Sequence, residues 1–332
     1  MKFLHPGNLQ AFFQSLTTEF DVKVPVLTPE GERVFGTPGE GPPVLSGGAL
    51  TAKPTSVFFP QEEELFATGR EVSKPAEKPL LVAGFTPRDL LCLRFIDRFF
   101  SDGFRDDIYF RRREGAVVAA VSGYSGTDGG FVRLSGGEGD LEFVFDGSVW
   151  IVVPYSGAGQ RLAALIHDEA PDSSLAPLLE KSAEGDNEDV AIINAASGLL
   201  MSDMVPDSFW ERVAESCIQC TGCNLVCPTC TCFGVRDWRY GDRVERSRMW
   251  DSCQLEGFMR EASGHNPLGT EALRTRRRIH HKLAADRTKW GEISCFLCGR
   301  CDAACPTGIG IVSVSRMIVA SFGDRAVKAA HR

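Results

Sequence analysis

The first half of the chain alternates between strand-like and helix-like segments. Short apolar runs bounded by Gly, Pro or charged residues indicate strands, and apolar residues at helical spacing indicate helices. The predicted strands are "VKVPVLT", "RVFG", "PLLVAGF", "LEFVFDG" and "SVWIVVPYS", with further strand-like segments in "DIYFRRREGAVVAAVSGY". The predicted helices are "LQAFFQSLTTEF", "QEEELFAT", "TPRDLLCLRFIDRFF" with Thr86 as N-cap, and "GQRLAALIHDEA". This alternation predicts an α/β or α+β fold with a partly parallel sheet.

The second half has a different pattern, because strand-like segments largely end after a charged, Gly-containing stretch near residue 185. The predicted helices there are "PDSFWERVAES", "ERSRMWDSCQLEGFMREASG", "TEALRTRRRIHHKLAADRTKW" and "GIVSVSRMIVASFG". We therefore predict an N-terminal domain over residues 1–185, a linker over residues 186–204 and an all-α domain over residues 205–332.

The charge of the chain is unevenly distributed between these parts. The formal net charge is −8, which argues against non-specific binding of nucleic acid by the whole molecule. Residues 211–332 contain 19 Lys or Arg and 13 Asp or Glu, so they carry +6, whereas the residues before them carry −14. A basic C-terminal part suits an anionic cofactor.

The sequence also predicts the location of the protein. No run of 18 or more apolar residues is present, so we predict no membrane span. The N-terminus lacks the apolar core and cleavage site of a signal peptide. We therefore expect a cytoplasmic protein, in which 12 cysteines indicate metal or redox chemistry rather than disulfide bonds.

Two cysteine motifs share the spacing C-x2-C-x2-C-x3-C-P, which is typical of bacterial ferredoxins with [4Fe–4S] clusters. In this spacing the first three cysteines hold one cluster, and the fourth points away and binds the other; Pro228 and Pro306 then turn the chain. The predicted ligands of cluster I are Cys217, Cys220, Cys223 and Cys305. Those of cluster II are Cys295, Cys298, Cys301 and Cys227. Two zinc knuckles are the alternative, but zinc sites favour C-x2-C … C-x2-C spacing.

The segment between the two motifs is 67 residues long and mostly helical in pattern. This arrangement resembles the α-helical ferredoxin domain of succinate dehydrogenase iron–sulfur subunits and heterodisulfide reductase small subunits. The run "CPTCTC" and the later "WDSC" resemble more closely the iron–sulfur (beta) subunits of soluble sulfhydrogenase-type nickel–iron hydrogenases and the A-type subunit of anaerobic sulfite reductase. "GFTPRDL" and "RDDIYFRRRE" extend the resemblance weakly into the first half.

This resemblance implies electron transfer in anaerobic metabolism. The expected role is a subunit that passes electrons through two [4Fe–4S] clusters between a flavin- and NAD(P)-binding subunit and a catalytic subunit, in a hetero-oligomer. Where the family often has a Cys-Asp pair, this chain has Arg88 and Asp89, and Cys92 is the one cysteine before Cys217. We therefore expect the N-terminal domain to be a docking domain without a cluster.

Three cysteines remain beyond the two motifs: Cys230, Cys232 and Cys253. Two interpretations remain open for these thiols. In the first they form a third metal site or a catalytic site, and the chain would then be a reductase subunit in its own right. In the second they line the cluster pocket. Candidate fourth ligands of a third site are Asp251, His265, His280 and His281.

Other features carry weaker signals. Arg236, with Arg239 and Arg243, is a candidate hydrogen-bond donor to cluster sulfurs. The basic helix from residue 274 to residue 283 is a solvated face, a docking surface or a counterweight to cluster charge. Gly157 and Gly159 follow a predicted strand, but the third glycine of a dinucleotide-binding fingerprint is missing, so a structural turn is favoured.

Overall fold

The structure is a computed structural model that describes residues 1–46, 50–69, 78–125, 130–169, 171–183 and 187–330. The chain forms two compact units. Unit 1 comprises residues 1–60 and 67–185, and unit 2 comprises residues 61–66 and 186–332. None of the described helices combines the length and the apolar character needed to cross a bilayer.

Unit 1 is built on a mixed β-sheet. Its strands are β1 (Lys2–Leu4), β2 (Asp21–Leu27), β3 (Arg33–Gly36), β5 (Leu80–Phe85), β6 (Val117–Tyr124), β7 (Phe131–Val132), β8 (Leu141–Phe145) and β9 (Trp150–Pro154). Their order is β1-β9-β8-β6-β5-β2-β3, with β7 paired to β6. Strands β2, β5, β6 and β8 run parallel, and the other pairings are antiparallel. The predicted partly parallel sheet is confirmed.

Helices cover this sheet. They are α1 (Leu9–Leu16), α2 (Pro87–Ser101), α3 (Asp107–Arg113), α4 (Gly157–Ala163) and α5 (Ala176–Ala183). Helix α2 begins with a capping box, because Thr86 Oγ1 accepts from Asp89 N at 3.3 Å and Asp89 Oδ2 accepts from Thr86 N at 3.1 Å. The predicted N-cap is therefore confirmed. The segment that begins "DIYFRRRE" was predicted to be strand-like, but it opens with α3, capped by Asp106, before β6 starts.

Unit 2 has a helical core. Its helices are α6 (Asn187–Met201), α7 (Asp207–Glu215), α8 (Gly222–Leu225), α9 (Glu271–His280), α10 (Asp286–Trp290), α11 (Arg300–Ala303) and α12 (Ile311–Ala330), with a π-helical turn (His281–Ala285) between α9 and α10. The structure corrects the predicted linker over residues 186–204, because most of this segment is helix α6. Ile193, Ala196 and Leu200 recur at helical spacing and are buried in the core of unit 2, which gives this segment a reason to be a helix.

Unit 2 also contains a three-stranded sheet, so the prediction of an all-α C-terminal domain was wrong. The strands are β4 (Glu62–Ala67), β10 (Phe233–Tyr240) and β11 (Arg243–Trp250), in the order β10-β11-β4. Strands β10 and β11 form a hairpin whose two-residue turn opens with Gly241 at φ 58°, a turn position that favours glycine. The segment "RVERSRMW" was part of a predicted helix, but here it forms strand β11.

Strand β4 comes from the segment predicted as a short acidic helix within the first domain. Its residue Glu63 forms a buried ion pair with Arg248 of β11, with Arg248 Nε donating to Glu63 Oε1 at 2.8 Å. Both side chains are at most 4% exposed, so each charge depends on the other for compensation. A piece of the N-terminal half is thus an integral part of unit 2.

Candidate metal centre

The two cysteine loops adopt matching backbone conformations. In the first loop Gln219 and Thr221 have positive φ values of 56° and 62°, and at the corresponding positions of the second loop Leu297 and Gly299 have 57° and 75°. Non-glycine residues rarely adopt this left-handed conformation, and it concentrates at functional sites. Alternation of left- and right-handed residues points backbone N–H groups into one concavity, which favours an anion. Short helices α8 and α11 follow the loops and pack against each other.

A cavity lies against the first loop. Its lining includes thiols from both motifs: Cys217, Cys220 and Cys223 of the first, and Cys305 of the second. Pro306, predicted to turn the chain there, also lines the cavity. The structure therefore brings together the four cysteines that the sequence assigns to cluster I.

The second set of thiols is also gathered. The pKa of Cys295 is raised to about 12, first by burial and then by the thiols of Cys301, Cys227 and Cys298 around it. Burial is likewise the main cause that raises the pKa of Cys301 to about 11. Without a cation these groups favour the neutral thiol, so iron would have to displace their protons on binding.

The spacing of the donors bears on the kind of metal centre. Within the described ranges, no three His, Cys, Asp or Glu side chains lie close enough together to share one metal ion. A tetrahedral zinc site with Zn–S bonds near 2.3 Å draws its sulfurs to roughly 3.8 Å from each other. Thiols arranged around a cavity fit a cluster better, because several irons and sulfides then occupy the space between them.

Helix α9 and the π-helical turn present three buried cations to this region. Arg274, Arg278 and Lys282 follow one another at intervals of four residues, and each is at most 5% exposed. Residues four apart lie on one face of a helix. The basic run predicted from the sequence is therefore not simply a solvated face, because these three side chains are buried.

Two of these cations act through hydrogen-bonded intermediaries. Arg274 Nε donates to Gln219 Oε1 at 3.2 Å, and Gln219 Nε2 lies 3.2 Å from Cys217 Sγ as its donor. Lys282 Nζ donates to Thr229 Oγ1 at 2.7 Å, and this hydroxyl lies 3.4 Å from Cys227 Sγ. Each cation thus fixes the surroundings of one predicted ligand.

The third cation, Arg278, has a different environment. Burial opposes its charge, but the thiols of Cys223, Cys301, Cys230 and Cys227 together raise its pKa above the ordinary value. Arg278 is one of the residues that line the cavity, and its buried Nε–H has no acceptor among the described residues.

A neighbouring hydroxyl shares this condition. Thr275 also lines the cavity, and its buried Oγ1 has no partner within the described part of the chain. Two unsatisfied donors facing a cavity of thiols fit a bound anionic group rich in acceptors, such as an iron–sulfur cluster. The sequence did not single out Thr275 or Arg278. The four-residue spacing of Arg274, Arg278 and Lys282 is nevertheless present in "RTRRRIHHKL".

The three surplus thiols do not converge on one point. Cys230 is hydrogen-bonded to Cys227, a predicted cluster ligand. Cys232 is hydrogen-bonded to Cys253, which lowers the pKa of Cys253 and raises that of Cys232. Asn224 Nδ2 lies 3.2 Å from Cys253 Sγ as a second donor.

The candidate fourth ligands are placed as follows. His265 is exposed, and Asp251 Oδ1 accepts from Ser252 N at 2.7 Å. His281 Nε2 lies 3.3 Å from Asp286 Oδ1. Burial lowers the pKa of His280, followed by the charge of neighbouring arginines. Of the surplus thiols, Cys232 and Cys253 thus pair with each other, and Cys230 pairs with the predicted ligand Cys227.

The structure corrects the predicted role of Arg236 as a hydrogen-bond donor to cluster sulfurs. It lies on the exposed strand β10, where Arg236 Nη2 donates to Glu62 Oε1 at 2.8 Å and the guanidinium stacks on Trp238 at 5.2 Å. Arg239 donates to Gly241 O, and Arg243 pairs with Glu245. Proximity to the first motif in sequence suggested a role at the cluster, but the hairpin directs these side chains to other partners.

The Gly157–Gly159 turn has a structural explanation. A Cβ atom at Gly159 would lie 1.9 Å from Asp140 O, so the glycine allows α4 to approach the backbone of unit 1. Ser156 Oγ caps α4 and donates to Asp140 Oδ1 at 2.6 Å. The carboxylate of Asp140, beside the start of α4, would repel a phosphate group there. This repulsion argues against a dinucleotide site and favours the structural turn.

Comparison with known proteins places this centre in a family context. Residues 216–309 match the family described as the 4Fe-4S dicluster domain. The chain is similar to sulfhydrogenase 2 subunit beta of Pyrococcus furiosus, with 27% identity over 281 residues, covering 80% of this chain and 82% of that protein. The resemblance to sulfhydrogenase-type beta subunits is confirmed. The chain therefore combines an N-terminal α/β region on a mixed sheet with a C-terminal 4Fe-4S dicluster domain.

Proposed function

We propose that the chain is an electron-transfer subunit of a hydrogenase-type oxidoreductase, with two [4Fe–4S] clusters bound by crossed ligation. The observation that carries this proposal is the cavity lined by three thiols of the first motif and by Cys305 of the second. One cluster is held by Cys217, Cys220, Cys223 and Cys305. The other is held by Cys295, Cys298, Cys301 and Cys227. The match to a dicluster domain and the likeness to a sulfhydrogenase subunit support the same function.

The clusters supply one-electron transfer when bound. The protein holds them close together, because each motif contributes ligands to both and helices α8 and α11 pack between the loops. The buried cations on α9 offset the negative charge of eight thiolates, so that the centre can accept electrons inside a protein interior.

Unit 1 then serves as a docking domain without a cluster of its own. Its cysteine, Cys92, is buried in α2. The proposed partners are a flavin- and NAD(P)-binding subunit and a catalytic subunit. Isolation of the complex from its native source, followed by identification of the bound subunits, tests this assignment; a chain that elutes without partners from the untreated extract would contradict it.

Anaerobic purification tests the cluster content. We expect about eight irons and about eight labile sulfides per chain, as two cubanes require. Paramagnetic resonance of the reduced protein should show two interacting centres. Zinc in place of iron after anaerobic reconstitution would overturn the proposal.

Serine variants test the crossed ligation. Cys217→Ser and Cys305→Ser should alter the same paramagnetic signal, whereas Cys227→Ser and Cys298→Ser should alter the other. Cys92→Ser is the matched control and should leave both signals unchanged. If Cys305→Ser and Cys298→Ser changed one common signal, ligation would not be crossed.

A second candidate is a reductase subunit with its own site at Cys230, Cys232 and Cys253. The observation in its favour is the hydrogen bond between the buried Cys253 and Cys232. Cys253→Ser decides between the candidates. Loss of a third metal-dependent signal, or of substrate turnover by the isolated chain, favours the reductase; unchanged iron content and signals favour the relay.

A further inference from the structure

Two buried hydrogen-bond donors on α9 remain without a described role. We propose that Thr275 and Arg278 donate hydrogen bonds to the sulfurs of the cluster held by Cys217, Cys220, Cys223 and Cys305, and that they raise the reduction potential of that cluster. The proposal rests on the clusters of the proposed function, and it assigns their tuning to specific side chains.

The burial of these donors is the first argument. Thr275 and Arg278 are each 5% exposed, and both line the cavity with the thiols. Thr275 Oγ1 and Arg278 Nε have no acceptor within the described residues. A buried donor without an acceptor destabilises the folded state, so such groups in a native protein require an explanation. Acceptors supplied by a group in the cavity provide one.

The other cations of the same helix face give a comparison. Arg274 donates to Gln219 Oε1, Leu268 O and Glu271 Oε1, and Lys282 donates to Thr229 Oγ1. These cations are satisfied by protein atoms. Arg278 lies between them on the same face and faces thiols instead of carboxylates or carbonyls. Its position is therefore suited to a sulfur-rich ligand.

Both residues are placed beside the first set of ligands, because both line the cavity with Cys217, Cys220, Cys223 and Cys305. They should differ in strength, since Thr275 contributes a neutral hydroxyl and Arg278 contributes a buried charge.

The sign of the effect follows from charge. A cluster becomes more negative when it is reduced, so hydrogen bonds to its sulfurs and a nearby cation stabilise the reduced state more than the oxidised state. Removing these groups should lower the potential. Lowering the potential would make the cluster a poorer acceptor and a stronger donor of electrons.

Redox titration of variants of the full chain tests the proposal. Thr275→Val removes the hydroxyl with little change in shape, and Thr275→Ser restores it. Arg278→Met removes the charge, while Arg278→Lys keeps the charge without the guanidinium Nε–H. Arg277→Met is the matched control, because Arg277 is the neighbouring arginine on α9, is partly exposed and does not line the cavity. Signals are assigned to each cluster with Cys217→Ser and Cys298→Ser.

We expect Thr275→Val to lower the potential of the first cluster and leave the second unchanged. Thr275→Ser should behave like the parent. Arg278→Met should lower the potential of the first cluster more strongly than Thr275→Val does, Arg278→Lys should have a smaller effect, and Arg277→Met should leave both potentials unchanged.

The outcomes separate this proposal from the proposed function. Absence of clusters in the parent protein would contradict the proposed function. A full content of iron and sulfide, with parental potentials in Thr275→Val and Arg278→Met, would overturn the tuning role while the function stands. If Arg278→Met fails to assemble clusters, Thr275→Val and Arg278→Lys decide the question by the same titration.

Discussion

At residue 310 the chain has no room for a side chain. A Cβ atom there would lie 2.2 Å from Asp302 Cγ and 2.5 Å from its Cα. Asp302 is needed in place, because its Oδ1 accepts from Ser313 N at 3.2 Å and Ser313 Oγ at 3.0 Å at the start of α12. A carboxylate at a helix N-terminus stabilises that helix. Asp302 also follows Cys301 directly in the second loop.

We expect Gly310→Ala to destabilise the protein by about 1–3 kcal/mol, as overpacking does. Gly198→Ala is the control. No atom lies within 4 Å of its added Cβ, and an alanine within α6 should stabilise by up to about 1 kcal/mol. Denaturant unfolding of the two variants measures both effects. Equal stability of the two variants would show that Asp302 moves aside freely.

Because of the buried Tyr109 in unit 1, we expect the stability of the folded state to depend on pH in the alkaline range. Its hydroxyl donates to Asp97 Oδ1 at 2.5 Å, and burial, followed by the charge of Asp97, raises its pKa well above 10. The folded state thus keeps its proton where the unfolded state loses it, so stability is fully present below about pH 10 and falls above it. In Tyr109→Phe this fall should be shallower, as measured by urea unfolding between pH 8 and pH 11. A slope identical to that of the parent would contradict the assignment.

At the scale of single residues the sequence was informative where spacing dictates geometry. Cysteines at fixed intervals specify a loop with a set curvature, so both ligand sets could be predicted. Arg236 and Arg278 show the limit. Arg236 is close to the first motif in sequence, and Arg278 is close to thiols of both motifs in space. The direction of each side chain depends on whether its segment is a strand or a helix.

Strand β4 is the element whose placement the sequence did not predict. Its acidic residues suggested a helix, but Glu63 requires a buried cation, and Arg248 of β11 supplies it. Removal of one member of a buried pair leaves an uncompensated charge. The sheet of unit 2 therefore depends on a contact 185 residues apart in sequence.

Arg248→Met should destabilise unit 2 by about 3–5 kcal/mol, because Glu63 would remain buried and unpaired. The control is Arg246→Met on the same strand. Arg246 Nε pairs with Asp237 at 2.7 Å on the exposed surface, where solvent screens the pair, so its loss should change stability little. Thermal unfolding of both variants gives the comparison; a similar shift in Tm for the two would mean that the buried pair contributes no more than the exposed one.

At the scale of the whole molecule, the two units have separate cores, and the proposed clusters belong to unit 2. Metal bound by the native state contributes to its stability by mass action. Removal of iron with a chelator should therefore loosen unit 2 far more than unit 1.

Hydrogen exchange measures this difference. After iron removal, we expect faster exchange in residues 217–232 and 295–309 and in α9, with β6 and β8 of unit 1 unchanged. Strands β6 and β8 act as the internal control. Equal loss of protection in both units would show that they unfold as one cooperative body.

The sequence by itself determined the local features: the two cysteine loops and the alternation that builds the mixed sheet. These follow from short spacings, which fix the conformation of neighbouring residues. Tertiary structure alone decided that β4 joins unit 2, that α9 turns Arg278 towards thiols from both motifs and that Cys232 pairs with Cys253. Such outcomes depend on burial and on charge compensation between distant segments, and these energies exist only once the chain has folded.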